Sequence, residues 1–220
     1  MQKDRIQHVE DYVKRAMPGE VAHDFKHADR VRRWALRIAR AEGFENLEIV
    51  EAAALLHDIG LPFAEQRSKH GQAGAKVAAK FLRANGLFVQ QEVEEIANAI
   101  RYHNTKVGDG RLLGILKDAD MLDMFGAVGT MRAFTSQASK SEYDPRNVRG
   151  STWEMSNEDF DQRFAEGVGI GDFIVDQLNF QISCYGNLST ETARRLARPL
   201  VEFMKAFVVQ LESEINGGDV

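Results

Sequence analysis

The sequence contains a single cysteine, Cys184, so no second thiol is present with which it could form an intramolecular disulfide. It also has no uncharged run close to the roughly 20 residues that a membrane-spanning helix needs. The polar first residues, 1–5, do not have the pattern of a signal peptide. We therefore expect a cytoplasmic protein that does not associate with membranes.

Neither sign of charge is in large excess, because 28 Lys and Arg residues stand against 33 Asp and Glu residues and give a net charge of −5. A chain with this balance has no sequence-independent attraction to nucleic acid polymers or to anionic membranes. A small molecule is therefore the expected partner. The 220 residues are enough for one substantial hydrophobic core, and we predict a single domain over 1–220.

Apolar residues recur at helical spacing over most of the chain, and Pro18-Gly19 stops the first helix. The run from Ala52 to Leu56 is apolar on every face, which predicts a buried central helix. The final helix contains Pro199, which should kink or divide it, and the residues after Ile215 should fray. The predicted helices cover 6–16, 23–41, 47–58, 70–84, 90–103, 113–124, 160–164, 170–182 and 190–215.

Titratable side chains occupy the apolar rows of these helices, where core residues are expected. A lone histidine in such a position is usually a hydrogen-bonded core residue, but here the pattern repeats on successive helices. Burying so many titratable groups without a compensating charge is costly, whereas a divalent cation offsets the carboxylates and binds the imidazoles. The pattern therefore predicts a metal site. The side chains concerned are His27, His57, Asp58, His70, His103 and Asp120.

Several other features have simpler explanations. His8 should lie at the surface, and His23 can belong to a helix cap alone, with a ligand or substrate role as the alternative. The glycine-rich stretch 167–171 resembles a nucleotide fingerprint only superficially, because no strand precedes it, and we predict a turn between helices. Phe203 and Phe207 of the last helix should pack in the core or form a homodimer contact.

The residues of the predicted metal site also carry a family resemblance. His27, the pair His57-Asp58 and the segment Asp118-Ala119-Asp120-Met121-Leu122-Asp123, in this order on helices, resemble the HD-domain superfamily of metal-dependent phosphohydrolases. The segment 23–27, and the segment 126–129 leading into the Tyr143-Asp144-Pro145 loop, are similar to a bacterial branch that includes nucleotide pyrophosphohydrolases. The resemblance covers roughly residues 21–207. It implies an all-α helical bundle.

The resemblance implies that the metal ligands are His27, His57, Asp58 and Asp120. Two imidazoles and two carboxylates leave open positions on a six-coordinate ion, where water can bind and become a hydroxide that attacks phosphorus. Asp58 can both bind the metal and orient that water. This ligation suits Mn²⁺ or Fe²⁺, with Mg²⁺, Ni²⁺ or Zn²⁺ as alternatives. We therefore predict a metal-dependent phosphohydrolase that hydrolyses a phosphate ester or anhydride of a nucleotide or a similar small phosphorylated molecule.

His70 and His103 lie outside this ligand set, and two roles are open to them. Either they bind a second metal, or they stay metal-free and donate protons to the phosphate or the leaving group. We favour proton donation, which makes Asp58, His70 and His103 the predicted catalytic residues. Together with the predicted ligands they also match the order of ligands along the chain in some HD-domain relatives that hold two irons. A di-iron oxygenase is therefore an alternative, and a non-catalytic ligand-binding module is another.

Helical periodicity disappears over about 136–158, which predicts a long irregular loop between the metal-site core, about 21–135, and C-terminal helices, about 159–216. Long loops within compact domains are often lids or binding loops. We predict that 139–151 is a mobile lid over the metal site, with a solvated loop as the alternative. Its positive side chains would bind the substrate phosphate. These predicted substrate-binding residues are Lys140, Arg146 and Arg149.

Overall fold

The structure, a computed structural model, describes residues 2–17 and 23–217. Over these residues it contains helices and no strand, so the predicted all-α class is confirmed. No helix among them is both long and apolar enough to cross a bilayer. The turn predicted at Pro18-Gly19 and the last residues of the tail, 218–220, lie outside the described residues.

Contacts between Cα atoms divide the chain into two compact units, Met1–Asp120 and Met121–Val220. The single-domain organisation stays a prediction. Within the described part of the first unit, α3 packs against α1, α2 and α5, and α4 packs against α5. The helices that lie wholly or mostly in this unit are α1 (Gln2–Ala16), α2 (Phe25–Ala41), α3 (Leu47–Leu56), α4 (His70–Ala84), α5 (Gln90–Tyr102) and α6 (Arg111–Leu122).

Helix α3 is the centre of the first unit. The side chains from Ala52 to Leu56 have no exposed surface, which confirms the prediction of a buried central helix. Three neighbouring helices cover its faces, so an apolar side chain is favoured at every position rather than on one stripe. The helix stops at Leu56, two residues earlier than predicted, and the pair His57-Asp58 lies in the turn that follows.

Gly60 ends this turn and lies against the first residues of α4. A Cβ atom at Gly60 would be 2.1 Å from the carbonyl oxygen of His70 and 2.3 Å from the backbone nitrogen of Gly74. Any larger residue would push the turn away from α4. The glycine therefore allows the turn that carries Asp58 to reach the helix that begins with His70.

The second unit contains one helix that the sequence did not predict. This helix, α7, includes Gly126, Gly129 and Thr130, which favour helices weakly but are buried at its packing face. A Cβ atom at Gly129 would be 1.9 Å from the carbonyl oxygen of Met124, so the close approach requires glycine. The described helices of this unit are α7 (Gly126–Ser136), α8 (Asn157–Ala165), α9 (Ile174–Ser183) and α10 (Glu191–Ile215).

Other predictions for the second unit can be compared directly with the structure. The chain between α7 and α8 is irregular, and the stretch 167–171 forms a turn between α8 and α9, as predicted. Helix α10 continues through Pro199, so the proline does not divide it. Phe203 is 47% exposed and Phe207 contacts Phe134. The homodimer stays a prediction.

Candidate metal centre

Four side chains of the first unit bring their donor atoms together. His27 comes from α2, His57 and Asp58 come from the turn after α3, and Asp120 comes from α6. His27 Nε2 lies 3.2 Å from His57 Nε2 and 3.4 Å from Asp120 Oδ1. Asp58 Oδ2 lies 3.5 Å from His27 Nε2 and 3.4 Å from His57 Nε2. The fold thus assembles the four predicted ligands.

The chemistry of this donor group fits a divalent cation. His57 Nδ1 lies 2.8 Å from the Ala54 carbonyl oxygen and donates its hydrogen there, which leaves Nε2 bare in the neutral imidazole. That bare nitrogen faces a second imidazole nitrogen and two carboxylates. Neighbouring ligands of an ion with bonds of about 2.0–2.2 Å lie roughly 3 Å apart, and the separations here are close to that value.

His70 and His103 form a second donor group beside the first. Their Nε2 atoms are 2.9 Å apart, and Asp58 Oδ1 lies 3.1 Å from His70 Nε2 and 3.7 Å from His103 Nε2. Each Nδ1 lies 2.7 Å from a carbonyl oxygen, that of Arg67 or that of Ile100. A carbonyl can only accept, and the Asn104 amide nitrogen, which lies farther from His70 Nδ1 at 3.1 Å, donates to the Ser68 carbonyl instead. Each Nδ1 therefore carries a hydrogen, and each neutral Nε2 is bare. The pair therefore needs a shared positive charge, either a proton or a cation.

Asp58 connects the two donor groups, because Oδ2 faces one group and Oδ1 faces the other. Its side chain is 3% exposed. Burial by itself raises the pKa of this carboxyl, but the charge of His57, the nearby His103 imidazole and a hydrogen bond from His23 outweigh burial and hold the pKa well below its usual value. Asp58 is therefore an ionised carboxylate at the centre of the cluster.

The same carboxylates act on the neighbouring imidazole. Burial by itself would lower the pKa of His57, but the Asp58 carboxylate, with a smaller effect from Asp120, raises that pKa to about 9. Burial likewise opposes ionisation of Asp120, yet a hydrogen bond from His27 and the charge of His57 keep its pKa low. The cluster thus attracts positive charge strongly, whether a proton or a metal ion carries it.

His23 and Arg67 also belong to this site, and the sequence did not assign them to it. Asp24 caps α2 by accepting from the His27 backbone nitrogen at 3.0 Å, which leaves His23 just outside the helix. His23 Nδ1 then lies 2.7 Å from Asp58 Oδ2, and the Arg67 guanidinium contacts His23 Nε2. Asp24 thus forms the predicted cap while His23 contacts the predicted ligand Asp58, and a ligand or substrate role for His23 stays a prediction. The sequence contained a signal for His23, because it lies one helical turn before the predicted ligand His27. It contained no signal that would place Arg67 at the site.

The predicted substrate-binding cations lie in the second unit, where each has a partner. Lys140 Nζ donates to a backbone carbonyl at 2.6 Å. Arg146 forms a two-point contact with Asp144, with distances of 3.1 Å and 2.9 Å, while its side chain remains 89% exposed. Arg149 donates to the Glu212 carboxylate through two nitrogens, both at 2.6 Å. Their role in substrate binding stays a prediction.

The loop that carries these cations contacts α9 through the last part of the loop, residues 149–152. The Thr152 hydroxyl, which is buried, donates to Asp176 Oδ1 at 2.7 Å. The Asn179 amide donates to the Arg149 carbonyl oxygen at 2.8 Å. Ordered polar contacts of this kind limit the freedom of 149–152. Residues 141–142 are held as well, because their carbonyl oxygens accept from the backbone nitrogens of Ile174 and Val175, and the mobile lid stays a prediction.

Comparisons with known proteins identify an HD domain in part of the chain. The HD domain model matches residues 24–124, the region that contains all four predicted ligands. No match was found among curated proteins. An HD-superfamily hydrolase from Bacillus thuringiensis is 22% identical, with a TM-score of 0.69, over 98% of this chain and 99% of its own.

Other solved structures share the fold. Bacillus subtilis YpgQ in complex with ADP is 22% identical, with a TM-score of 0.67, over 100% of this chain and 99% of its own. A predicted HD-superfamily hydrolase from an uncultured Thermotogales bacterium is 27% identical, with a TM-score of 0.64, over 96% of this chain and 92% of its own. Residues 24–124, with their ordered His and Asp donors, therefore match an HD domain, and solved structures described as HD-superfamily hydrolases share the fold of the chain.

Proposed function

We propose that this protein is a metal-dependent phosphohydrolase that cleaves a phosphate ester or anhydride of a nucleotide. The observation that carries the proposal is the convergence of imidazole nitrogens and carboxylate oxygens from His27, His57, Asp58 and Asp120 in the first unit. A nucleotide is supported as the substrate class because YpgQ, which has a similar fold, was solved with ADP. Mn²⁺ or Fe²⁺ is the preferred ion for this donor set, and Mg²⁺, Ni²⁺ and Zn²⁺ are alternatives.

The four donor residues would hold the metal, and the residues around them would prepare the reaction. When bound, the ion supplies a polarised phosphoryl oxygen and a bound water of lowered pKa. Asp58 stays ionised and can accept a hydrogen bond from the attacking water, which orients the water for attack on phosphorus. His70 and His103, whose Nε2 atoms are at hydrogen-bond distance, can hold one proton for the leaving-group oxygen.

Arg67 is the candidate for phosphate recognition within the first unit. It is exposed, it contacts His23, and its side chain has no carboxylate partner among the described residues. His23 in turn contacts Asp58, so the guanidinium lies only one side chain away from the metal cluster. A guanidinium can donate two parallel hydrogen bonds to phosphate oxygens. We assign this role to Arg67 and a supporting contact to His23.

Lys140, Arg146 and Arg149 remain proposed substrate-binding residues. Arg146 is the most suitable of the three, because an exposed ion pair such as Arg146–Asp144 contributes little and can be exchanged for a phosphate contact. Arg149 has a less exposed pair with Glu212 and also lies over the Trp153 ring. Replacement of Glu212 by a substrate phosphate would therefore cost Arg149 more free energy than replacement of Asp144 would cost Arg146.

A di-iron oxygenase is the second candidate function, and one observation favours it. The two oxygens of Asp58 face two separate donor groups, and the second group contains His70 and His103. A carboxylate in this position can bridge two ions. An enzyme of this kind would consume dioxygen with iron bound and would release no phosphate.

The deciding experiment loads the protein separately with each candidate metal and measures phosphate release from nucleoside monophosphates, diphosphates and triphosphates. Oxygen uptake by the iron-loaded protein is measured in parallel. Phosphate release that is lost in Asp120→Ala and kept in Asp109→Ala, an exposed carboxylate before α6, supports the proposal. Oxygen uptake without phosphate release supports the oxygenase. Nucleotide binding without either reaction identifies a ligand-binding module.

A further inference from the structure

A groove with a net positive charge lies between α4 and α5, and none of its residues belongs to the metal centre. Its floor consists of the small side chains Ala75, Ala79 and Ala97, which leave a cavity of about 640 Å³ between the helices. Three of its four cations lie on α4, and the α5 wall carries the fourth together with the single carboxylate, that of Glu94. These cations are Lys76, Lys80, Arg83 and Arg101.

The charges in this α4–α5 groove are largely uncompensated. Lys76, Lys80 and Arg101 are exposed, and within residues 2–17 and 23–217 their side chains have no hydrogen-bond or ion-pair partner. Arg83 Nε donates to Gln90 Oε1 at 3.1 Å, and Gln90 in turn donates to the Glu94 carboxylate at 2.5 Å. The one acid is thus held at the Gln90 end of the groove. The remaining length is free to meet an anion, although the whole chain carries a net charge of −5.

The spacing of the cations indicates the kind of anion. Lys76, Lys80 and Arg83 lie four and three residues apart, on one side of α4, and span about 10 Å at roughly 1.5 Å per residue. Like charges at this spacing destabilise a helix unless an anion lies between them. Arg101 adds a cation from α5. A row of this length matches several linked phosphates better than one phosphate ion.

We propose that the α4–α5 groove binds a chain of phosphates, such as inorganic polyphosphate or the triphosphate of a nucleotide. The bound anion would be held by Lys76 and Lys80 on one helix and by Arg101 on the other. Helix α4 begins at His70, and His103 directly follows α5. A ligand across the groove therefore joins the two helices that carry the second donor group of the metal centre, and it stabilises the folded state by binding it.

The test titrates inorganic tripolyphosphate and ATP into the metal-free Asp58→Asn variant by calorimetry, with Asp120→Asn as a second background. These backgrounds impair phosphate binding at the metal centre. Lys76→Ala/Lys80→Ala removes two exposed lysines at positions where alanine favours the helix. Arg40→Ala/Arg195→Ala, two exposed cations outside the groove, is the control with the same change of charge.

We expect saturable, salt-sensitive binding that weakens about tenfold or more in the lysine variant and is unchanged in the control. The melting temperature should rise with tripolyphosphate in the background protein and not in the lysine variant. Equal affinity for tripolyphosphate and ATP assigns binding to the phosphate chain alone. Tighter ATP binding adds a contact with the nucleoside, and both results support the site.

Unchanged affinity in the lysine variant, or the same loss in the control, would overturn the proposal. Binding that appears only with Asp58 and Asp120 intact would place the phosphates at the metal centre instead. Sedimentation distinguishes one further case, in which the lysine variant abolishes self-association and tripolyphosphate does not bind. The groove would then be a contact between copies of this chain. None of these readouts measures hydrolysis, so they are independent of the proposed function.

Discussion

His70 Nε2 lies 2.9 Å from His103 Nε2 while both imidazoles donate through Nδ1 to carbonyl oxygens, so the two facing nitrogens must share a proton or a cation. Metal analysis of fully loaded protein distinguishes these states. If the pair shares a proton, wild type and His70→Ala should bind the same number of metal equivalents. A fall from two equivalents to one in His70→Ala would mean that the pair binds a second metal, and proton donation would be rejected.

Removal of one carboxylate ligand should eliminate both metal and turnover. Asp58→Ala and Asp120→Ala each take a charged donor from the group around His27 and His57, and imidazoles alone bind a divalent ion more weakly. Circular dichroism should show nearly unchanged helicity, since the helices are packed by apolar side chains. Elemental analysis provides the readout, with Asp109→Ala as the control. Full metal occupancy in either ligand variant would contradict the assignment.

The metal-free protein should lose stability as the pH rises. The folded-state pKa of His57 is raised from 6.5 to about 9, so the protonated form stabilises the fold fully below about pH 6.5. That contribution disappears as the pH rises through about 9. Urea unfolding between pH 6 and pH 9.5 measures it, and His57→Gln should remove this component of the pH dependence. A stability that rises over this range in the wild type and not in the variant would refute the prediction.

Arg67→Ala should lower kcat/KM. The loss should correspond to about 1–3 kcal/mol of activation free energy, the usual value of a hydrogen bond to a charged group. The guanidinium contacts His23 and is available for a substrate phosphate. Lys69→Ala, which removes an exposed cation two residues away, is the matched control. Steady-state kinetics on the best nucleotide substrate give the answer. If both variants lose activity to the same extent, only the general charge of this segment matters.

Arg146→Ala should lower kcat/KM by roughly one to two orders of magnitude if Arg146 binds the substrate phosphate. The free energy of unfolding should change little, because the Arg146–Asp144 pair is exposed. Arg149→Ala should also lower stability, because it removes the contacts with Glu212 and Trp153. Kinetics and urea unfolding separate the two effects. The lid function should be abandoned if kcat/KM is unchanged in both variants and in Lys140→Ala.

The sequence by itself determined the helical class and the identity of the donor residues. Each donor is a titratable residue in an apolar row of a helix or at the end of one, so helical periodicity places it inward before any tertiary contact is known. This reasoning identified His70 and His103 as well as the four predicted ligands, because local spacing carries the information. It did not detect α7, since glycine and threonine at its packing face weaken the local helical signal.

Only the tertiary structure decided which donors meet and which other residues join them. His23 and Asp58 are separated by 35 positions and His23 and Arg67 by 44, so their contacts depend on the path of the chain between helices. Gly60 sets part of that path through its close approach to His70, a contact that has no local sequence pattern. The path of the chain between helices also places the two oxygens of Asp58 against two different donor groups. Helical periodicity specifies the direction in which a side chain points from its own helix. A carboxylate shared between two donor groups depends on the relative positions of several helices.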